Sequence, residues 1–405
     1  MLSQNQNKFN NILKHNLCLG CGLCEAIGKN EGYIMSLNGN GFYKPKCIDG
    51  RNIEIEKKIS EICPAININA PKLMGDNVWG GITNLYNVSS SDSEVRKKGS
   101  SGGGISALCI YILENKIVDG VLHVGKISGD SIENQLFISR NRNEVLLNAS
   151  SRYAPAKVFN EIKDIFENTN EIFAFVGKPC DIAGLKNYII LNPQYQNRIK
   201  CFFSFFCAGM PSYDGTLRLL EQAKQKELPY FLKYRGDGWP GYFKAMYKNG
   251  SVLKISYEES WGKVLSKHVH PRCKICPDGI GLMADNVFGD AWETKDGYPD
   301  FEEREGKSLV IARTELGDIL IKNAFKNKNI IVEHLKKERI SKMQPYQYQR
   351  RLFVGYRIVV IQILTMFLLN FKGTGYLKLM AKYPIHKGIK NSIGTLRRFL
   401  FNSRN

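Results

Sequence analysis

The run Cys18-Leu-Gly-Cys21-Gly-Leu-Cys24 constrains this chain more than any other segment. Three thiols spaced C-x-x-C-x-x-C can wrap one face of an inorganic cubane. Cys63-Pro64 then supplies a fourth ligand, as in a bacterial ferredoxin run with a long gap before its last cysteine. Gly20 and Gly22 let the backbone curl tightly around such a cluster. Thiolates are soft ligands and favour iron–sulfur or zinc over harder cations. Structural zinc is the competing reading, but these three ligands are packed more tightly than in paired C-x-x-C knuckles. Cys47 competes with Cys63 for the fourth position, and the proline after Cys63 is what matches the ferredoxin run.

The chain has 11 cysteines. Its first residues, Met1 to Leu17, are polar and lack the apolar block of a secretory signal, so a cytoplasmic location is expected. In a reducing compartment the cysteines are not a disulfide framework, and clustered ones bind metal or do redox work. Cys109 and Cys201 sit inside apolar runs. Cys180 follows the apolar run Phe173–Val176, and Cys207 ends Cys201–Phe206. Neighbouring parallel strands lie about 4.8 Å apart, so two such strand ends could present both thiols to one point. Cys273-Lys-Ile-Cys276 adds two ligands at chelating spacing, which would complete a second four-thiol set. The alternative is that Cys180 and Cys207 are buried structural thiols and Cys273-x-x-Cys276 an incidental turn.

With 43% hydrophobic residues the composition is globular, and wholesale disorder is excluded. The expected fold class is α/β of mixed α+β type, in three parts. Residues 1–75 form a small ferredoxin-like iron–sulfur unit. Residues 76–344 form a central α/β domain, and residues 345–405 a basic helical tail. In the first part a hairpin is predicted over Gly32–Phe42, turning at Asn38-Gly39, and a helix over Ile53–Ile62. In the second, strands are predicted over 83–88, 120–124, 172–176, 201–206, 242–247, 252–257, 287–290 and 309–312. Helices are predicted over 104–113, 157–167, 182–189, 212–223 and 314–325, giving a largely β-α-β order. No stretch of about 18 uninterrupted apolar residues suggests a membrane span.

Lys97-Lys-Gly99-Ser-Ser-Gly102-Gly-Gly104 runs into a helical pattern. Such a loop offers backbone N–H groups, the positive helix end and the Ser100 and Ser101 hydroxyls to an anion. It is not a P-loop, and Gly279-Ile-Gly281-Leu-Met-Ala284 follows no strand, so neither is a nucleotide fingerprint. Ala149-Ser-Ser151-Arg152-Tyr153-Ala-Pro155 suits a loop touching a phosphate or a ring, or a plain surface loop. His268 and His270 precede Pro271-Arg272-Cys273 and are secondary ligand candidates.

The net charge is +19, and it is unevenly placed. From Lys342 to Asn405 there are 12 Lys or Arg and no Asp or Glu, whereas the rest carries 45 basic and 38 acidic residues. Phe353–Phe371 is apolar but interrupted by Gly355, Arg357, Gln362 and Thr365. A basic, intermittently apolar tail can lie on an anionic membrane or pack on the core or on another subunit. Nucleic acid is not the expected partner.

Taken together, the motifs resemble the coenzyme F-420 hydrogenase/dehydrogenase beta-subunit family, whose relatives include a plant chlorophyll reductase. The matching stretches are Cys18–Cys24 with Cys63-Pro64, Ser100-Ser-Gly-Gly103 with Asp119-Gly-Val121, and Ser151-Arg-Tyr153. They continue with Gly177-Lys-Pro-Cys180, Phe206-Cys207, Cys273-x-x-Cys276-x-Asp278, Ala284-Asp285 and Gly289-Asp290. The resemblance implies an oxidoreductase with one or two [4Fe-4S] clusters and FAD. Cys18, Cys21, Cys24 and Cys63 form one ligand set, and Cys180, Cys207, Cys273 and Cys276 the other. Ser100, Ser101, Gly102, Gly103, Arg152 and Tyr153 are the flavin-binding candidates. The implied partners are a redox protein or reduced ferredoxin and a small organic acceptor; no residue is assigned as catalytic acid or base. The long basic tail is similar to that of bacterial family members associated with polysaccharide biosynthesis, and would place the protein at the inner membrane face. Pro277 after Cys276 departs from the family pattern, and Asp278 is either a substitute ligand or a loop acid. Two other readings are an electron-transfer subunit without a substrate site and a zinc-stabilised binding protein.

Overall fold

The computed structural model describes residues 4–72, 78–127, 129, 132–383 and 385–402. The expected boundary at 75/76 lies outside the described residues. A nine-stranded sheet organises the molecule. Its order is Ile330–His334, Asn84–Ser90, Ser308–Ala312, Asn286–Asp290, Ile199–Phe205, Phe173–Val176, Gly120–Lys126, Asn134–Ser139 and Ala156–Lys157. The four strands from Asn286–Asp290 to Gly120–Lys126 run parallel. Antiparallel strands flank this block on both sides.

Side chains alternate across the sheet as a two-residue period requires. Val121, Ala174, Cys201, Phe203 and Phe288 face the cluster that includes helices Gly104–Glu114 and Glu315–Lys326. Leu122, Phe173, Phe175, Phe202 and Val287 face the other cluster, shared with helix Pro179–Leu191 and the N-terminal unit. Both faces are covered, which is why the central strands read as continuous apolar runs. The strands Tyr242–Met246 and Val252–Ser256 do not join this sheet. They pair antiparallel, with Phe231–Lys233 on their outer edge, as a small separate sheet.

Two local expectations are corrected. The hairpin strands are Tyr33–Leu37 and Tyr43–Cys47, so its second strand begins after Phe42 and the connection is five residues long. Asn38 closes it by accepting hydrogen bonds at Oδ1 from the Asn40 and Phe42 amides, and Gly41, not Gly39, takes the left-handed conformation (φ +67°). The predicted helix over 157–167 begins only at Ile162. Ala156–Lys157 extends the sheet, and the Phe159 amide donates to the Cys21 carbonyl (2.8 Å), so docking onto the cysteine loop overrides local helix preference.

The C-terminal segment is built into the body at its start. Helix Pro345–Thr365 buries Leu352, Val354, Ile358 and Ile361. Asn370–Lys372 then pairs parallel with Asn67–Asn69 of the N-terminal unit. The apolar run 353–371 is therefore half a core helix and a strand. Among the described residues, no helix is long and apolar enough to cross a membrane.

Candidate functional site

The first thiol set forms where the loop before helix Leu23–Gly28 meets the end of helix Ile53–Ile62. Gly20 and Gly22 have φ of +67° and +91°, and a Cβ on Gly22 would sit 2.7 Å from the Asn160 amide nitrogen. The left-handed turns and this close approach require glycine at both positions. Burial, aided by the neighbouring Cys63, pushes the Cys18 thiol up to about 12. Burial also drives Cys21 and Cys24 well above the ordinary thiol range, with Cys63 and Cys18 the leading neighbours. Cys63 itself is raised by burial and partly held down by backbone donors and Arg272. The Cys47 thiol instead donates to the Gly50 carbonyl (2.7 Å).

The second set depends on the parallel sheet. Phe173–Val176 and Ile199–Phe205 are adjacent and parallel. Cys180 and Cys207 follow their carboxyl ends, with Cys180 in the first turn of helix Pro179–Leu191. Cys273 lies in the short helix Pro271–Lys274, and Cys276 just beyond it. All four cysteines line one small apolar cavity, closed by Leu19 of the first cysteine loop and by Arg272 and Arg350. Burial raises Cys180 well above its ordinary value and Cys207 to about 12. Burial alone would lower the Lys178 ammonium. Asp181, 2.7 Å away, and Cys180 outweigh that and keep it charged.

Arg350 bridges two of the thiol-bearing segments. Its guanidinium donates to the carbonyls of Cys207 (2.8 Å) and Cys273 (2.6 Å) and is buried. Arg272 donates to the carbonyls of Ala65 (3.0 Å) and Pro64 (3.4 Å), beside Cys63, while lining the second cavity. Arg350→Met strands the Cys207 carbonyl, at about 1–3 kcal/mol, and leaves the Cys273 carbonyl the longer bond from the Cys276 amide (3.4 Å). A cluster held by the second set would then be lost to a chelator faster than in the unaltered protein, with one held by the first set unaffected; equal loss rates would deny Arg350 this role.

Asp278 lines the same small cavity as the four cysteines. Its buried carboxylate accepts from the Ile280 (3.3 Å) and Leu282 (3.0 Å) amides. His270 is buried, caps helix Pro271–Lys274 by accepting from the Arg272 amide (3.1 Å), and is lowered to about 3 by burial. His268 stacks its side chain against Gly215. Cys109 and Cys201 are core thiols. Among the described residues, no three His, Cys, Asp or Glu side chains close around one point as ligands of a single ion do.

Against the second set lies a cavity of about 890 Å³, within the usual range for organic ligands. Cys207, Lys178, Gly209 and Met210 line both cavities, so the two share a wall. The Ser100–Gly103 loop borders the large cavity at the start of helix Gly104–Glu114. Gly102 and Gly103 are left-handed (φ +35° and +70°), which delivers the loop to the helix end. Ser100 Oγ accepts from the Ser151 amide (2.6 Å) and ties this loop to the one bearing Arg152 and Tyr153. Ser101 Oγ is turned to the Lys307 carbonyl (2.9 Å). Arg152 lines the cavity with Nε lacking a hydrogen-bond partner, and its one contact is to the Leu232 carbonyl at 3.4 Å. Burial lowers it, and no carboxylate offsets that. A half-buried cation so placed fits an anionic ligand.

The remaining wall is aromatic. Tyr153 packs on Trp261 (4.7 Å between ring centres), and Arg235 stacks on Tyr257 and Trp292 (4.9 and 5.1 Å) while pairing with Asp290 through two bonds (2.8 and 2.7 Å). No local pattern in the chain signals that Tyr257, Trp261 and Trp292 converge. For Arg235 the glycine-rich run Tyr234-Arg-Gly-Asp-Gly-Trp-Pro240 was the available signal.

Comparison with known proteins follows the same outline. The family model described as coenzyme F420 hydrogenase/dehydrogenase beta subunit, N-terminal, matches residues 85–163, and its C-terminal counterpart matches residues 170–338. The chain is 26% identical over 271 residues to a coenzyme F420 hydrogenase subunit beta of Methanococcus voltae, covering 66% of this chain and 88% of the relative. It is 25% identical over 357 residues to a coenzyme F420-dependent sulfite reductase of Methanocaldococcus jannaschii, covering 84% of this chain but 51% of the relative. In fold it is similar to a chain of the F420-reducing [NiFe] hydrogenase complex from Methanosarcina barkeri. The TM-score is 0.55 at 19% identity, over 72% of this chain and 97% of that one.

Proposed function

The chain belongs to the coenzyme F420 hydrogenase/dehydrogenase beta-subunit family, and from that premise we propose that it is an iron–sulfur flavoprotein oxidoreductase. It moves electrons between [4Fe-4S] clusters, FAD and a small conjugated organic acceptor. The observation that carries this reading is the wall shared by the four-thiol cavity and the large cavity at Cys207 and Lys178. Redox groups on its two sides would be neighbours.

Both donor sets suit [4Fe-4S] clusters. Burial disfavours the free thiolate at Cys18, Cys21, Cys24, Cys63, Cys180, Cys207 and Cys273, so a positive metal centre is what would keep them ionised. Cys18, Cys21, Cys24 and Cys63 would hold one cluster, and Cys180, Cys207, Cys273 and Cys276 the other. Arg152, the Ser100–Gly103 loop and the end of helix Gly104–Glu114 would hold the flavin's phosphates. When bound, the flavin supplies the exchange between one- and two-electron transfer. Lys178 keeps a positive charge at the shared wall. Tyr257, Trp261 and Trp292 exclude water and offer ring faces to a planar acceptor.

The aromatic wall supports an enzyme with its own acceptor site. The relatives' names, subunits of larger redox assemblies, support a second reading, an electron-transfer subunit serving a partner enzyme. A redox protein or reduced ferredoxin supplies the electrons in either case, in the cytoplasm. A role in polysaccharide biosynthesis rests on the resemblance of the tail alone. Anaerobic purification with iron, sulfide and flavin quantitation tests the reading. About eight irons and one flavin per chain are expected; zinc without iron or flavin would overturn it.

A further inference from the structure

We propose that the C-terminal helix Ile385–Asn402 is a docking surface for an anionic lipid bilayer. The proposal is independent of the redox chemistry. One face of this helix is committed to the protein. Gly388 and Thr395 are buried, Asn391 Oδ1 accepts from Arg357 (2.7 Å), and the Ser392 hydroxyl donates to the Tyr356 carbonyl (3.4 Å). These contacts fix it against helix Pro345–Thr365.

Among the described residues a second face has no such partner. Ile385, Ile389 and Ile393 recur every four residues, which places them in one stripe. They are 69%, 52% and 61% exposed. Lys390 is exposed beside that stripe, on the side away from the buried face, and Lys387 is exposed further round, next to Asn391. The helix thus has a packed face, an open apolar face and a cationic face in succession. An interfacial helix has these last two parts. Met366 and Leu368, 88% and 76% exposed, add apolar groups on the loop that ends the supporting helix.

The charge inventory selects the occupant. From residue 342 onward no acidic residue exists. Arg350 and Arg351 are buried on backbone carbonyls and Arg357 is bonded to Asn391, so they contribute nothing to this outer surface. What faces solvent is mostly lysine, whose long stem lets apolar neighbours enter a bilayer while the ammonium stays at the headgroups. A second copy of the chain would bring the same cationic face against itself. A nucleic acid would leave the isoleucine stripe uncovered. An anionic bilayer satisfies both faces at once.

The test uses the full chain with its bound cofactors, co-sedimented with vesicles of phosphatidylglycerol and phosphatidylcholine or of phosphatidylcholine alone. Binding to the anionic vesicles, weakened by added salt, is expected. Each lysine near an anionic leaflet contributes about fivefold in partitioning, so Lys387→Glu with Lys390→Glu lowers binding by roughly tenfold or more. Ile389→Glu lowers it as well, with iron and flavin absorbance unchanged because the side chain is exposed. Failure of the unaltered chain to bind anionic vesicles, or equal binding by all variants, overturns the proposal. So does a change of oligomeric state on Ile389→Glu without vesicle binding, which would assign the stripe to a protein contact.

Discussion

Cys273→Ser leaves anaerobically purified protein with about half its iron and sulfide, about four of eight iron atoms per chain. Cys273 shares its cavity with Cys180, Cys207 and Cys276 and is remote in sequence from Cys18, Cys21, Cys24 and Cys63. A hydroxyl is a hard, weakly acidic ligand and does not replace a thiolate on iron. The cluster of the second set is therefore lost while that of the first remains. Flavin stays bound, because the loop of Ser100–Gly103 and Arg152 is untouched, but electrons from the first cluster no longer reach it at the native rate. Cys47→Ser is the matched control. Its thiol bonds to the Gly50 carbonyl outside both sets, and iron is expected to be unchanged. Full iron content in the Cys273→Ser protein would remove the second cluster from the proposed function.

The second large effect is at Arg152. It is a half-buried residue whose inaccessible Nε lacks a partner among the described residues and to which no carboxylate is paired. Such a cation is costly until an anion arrives, and removing one partner of a buried charge pair weakens binding by about 2–5 kcal/mol. Arg152→Met is expected to weaken FAD retention by roughly 30-fold or more at constant iron content. The same change should raise the melting temperature of flavin-free protein, since it removes an uncompensated half-buried charge. A merely structural arginine would show the opposite, lower stability with unchanged flavin affinity. Flavin titration by fluorescence and thermal melts of the flavin-free protein separate the two.

What could be read from the chain and what could not differ in range. The C-x-x-C-x-x-C loop with its glycines was legible because both its ligand spacing and its left-handed turns are local. The central strands were legible because burial on both faces gives continuous apolar runs. The turn at Asn38 was misread because Asn-Gly looks like a two-residue hairpin, whereas the Asn38 side chain closes a longer loop through Asn40 and Phe42. Residues 157–161 were misread because what straightens them is the cysteine loop, far away in sequence. The tail was seen only as charge, and its first arginines prove to be interior groups.

By itself the amino-acid order determined the C-x-x-C-x-x-C loop, the alternation that builds the parallel strands, and the glycine loop that leads into helix Gly104–Glu114. These depend on neighbours a few residues apart, where backbone geometry leaves few choices. Tertiary structure alone decided that Cys180, Cys207, Cys273 and Cys276 share one cavity, that Arg350 reaches Cys207 across 143 positions, and that three aromatic rings enclose the adjoining space. Those contacts close long loops. They form only when burial of the whole sheet offsets the chain entropy lost in closing them, and no local pattern carries that information.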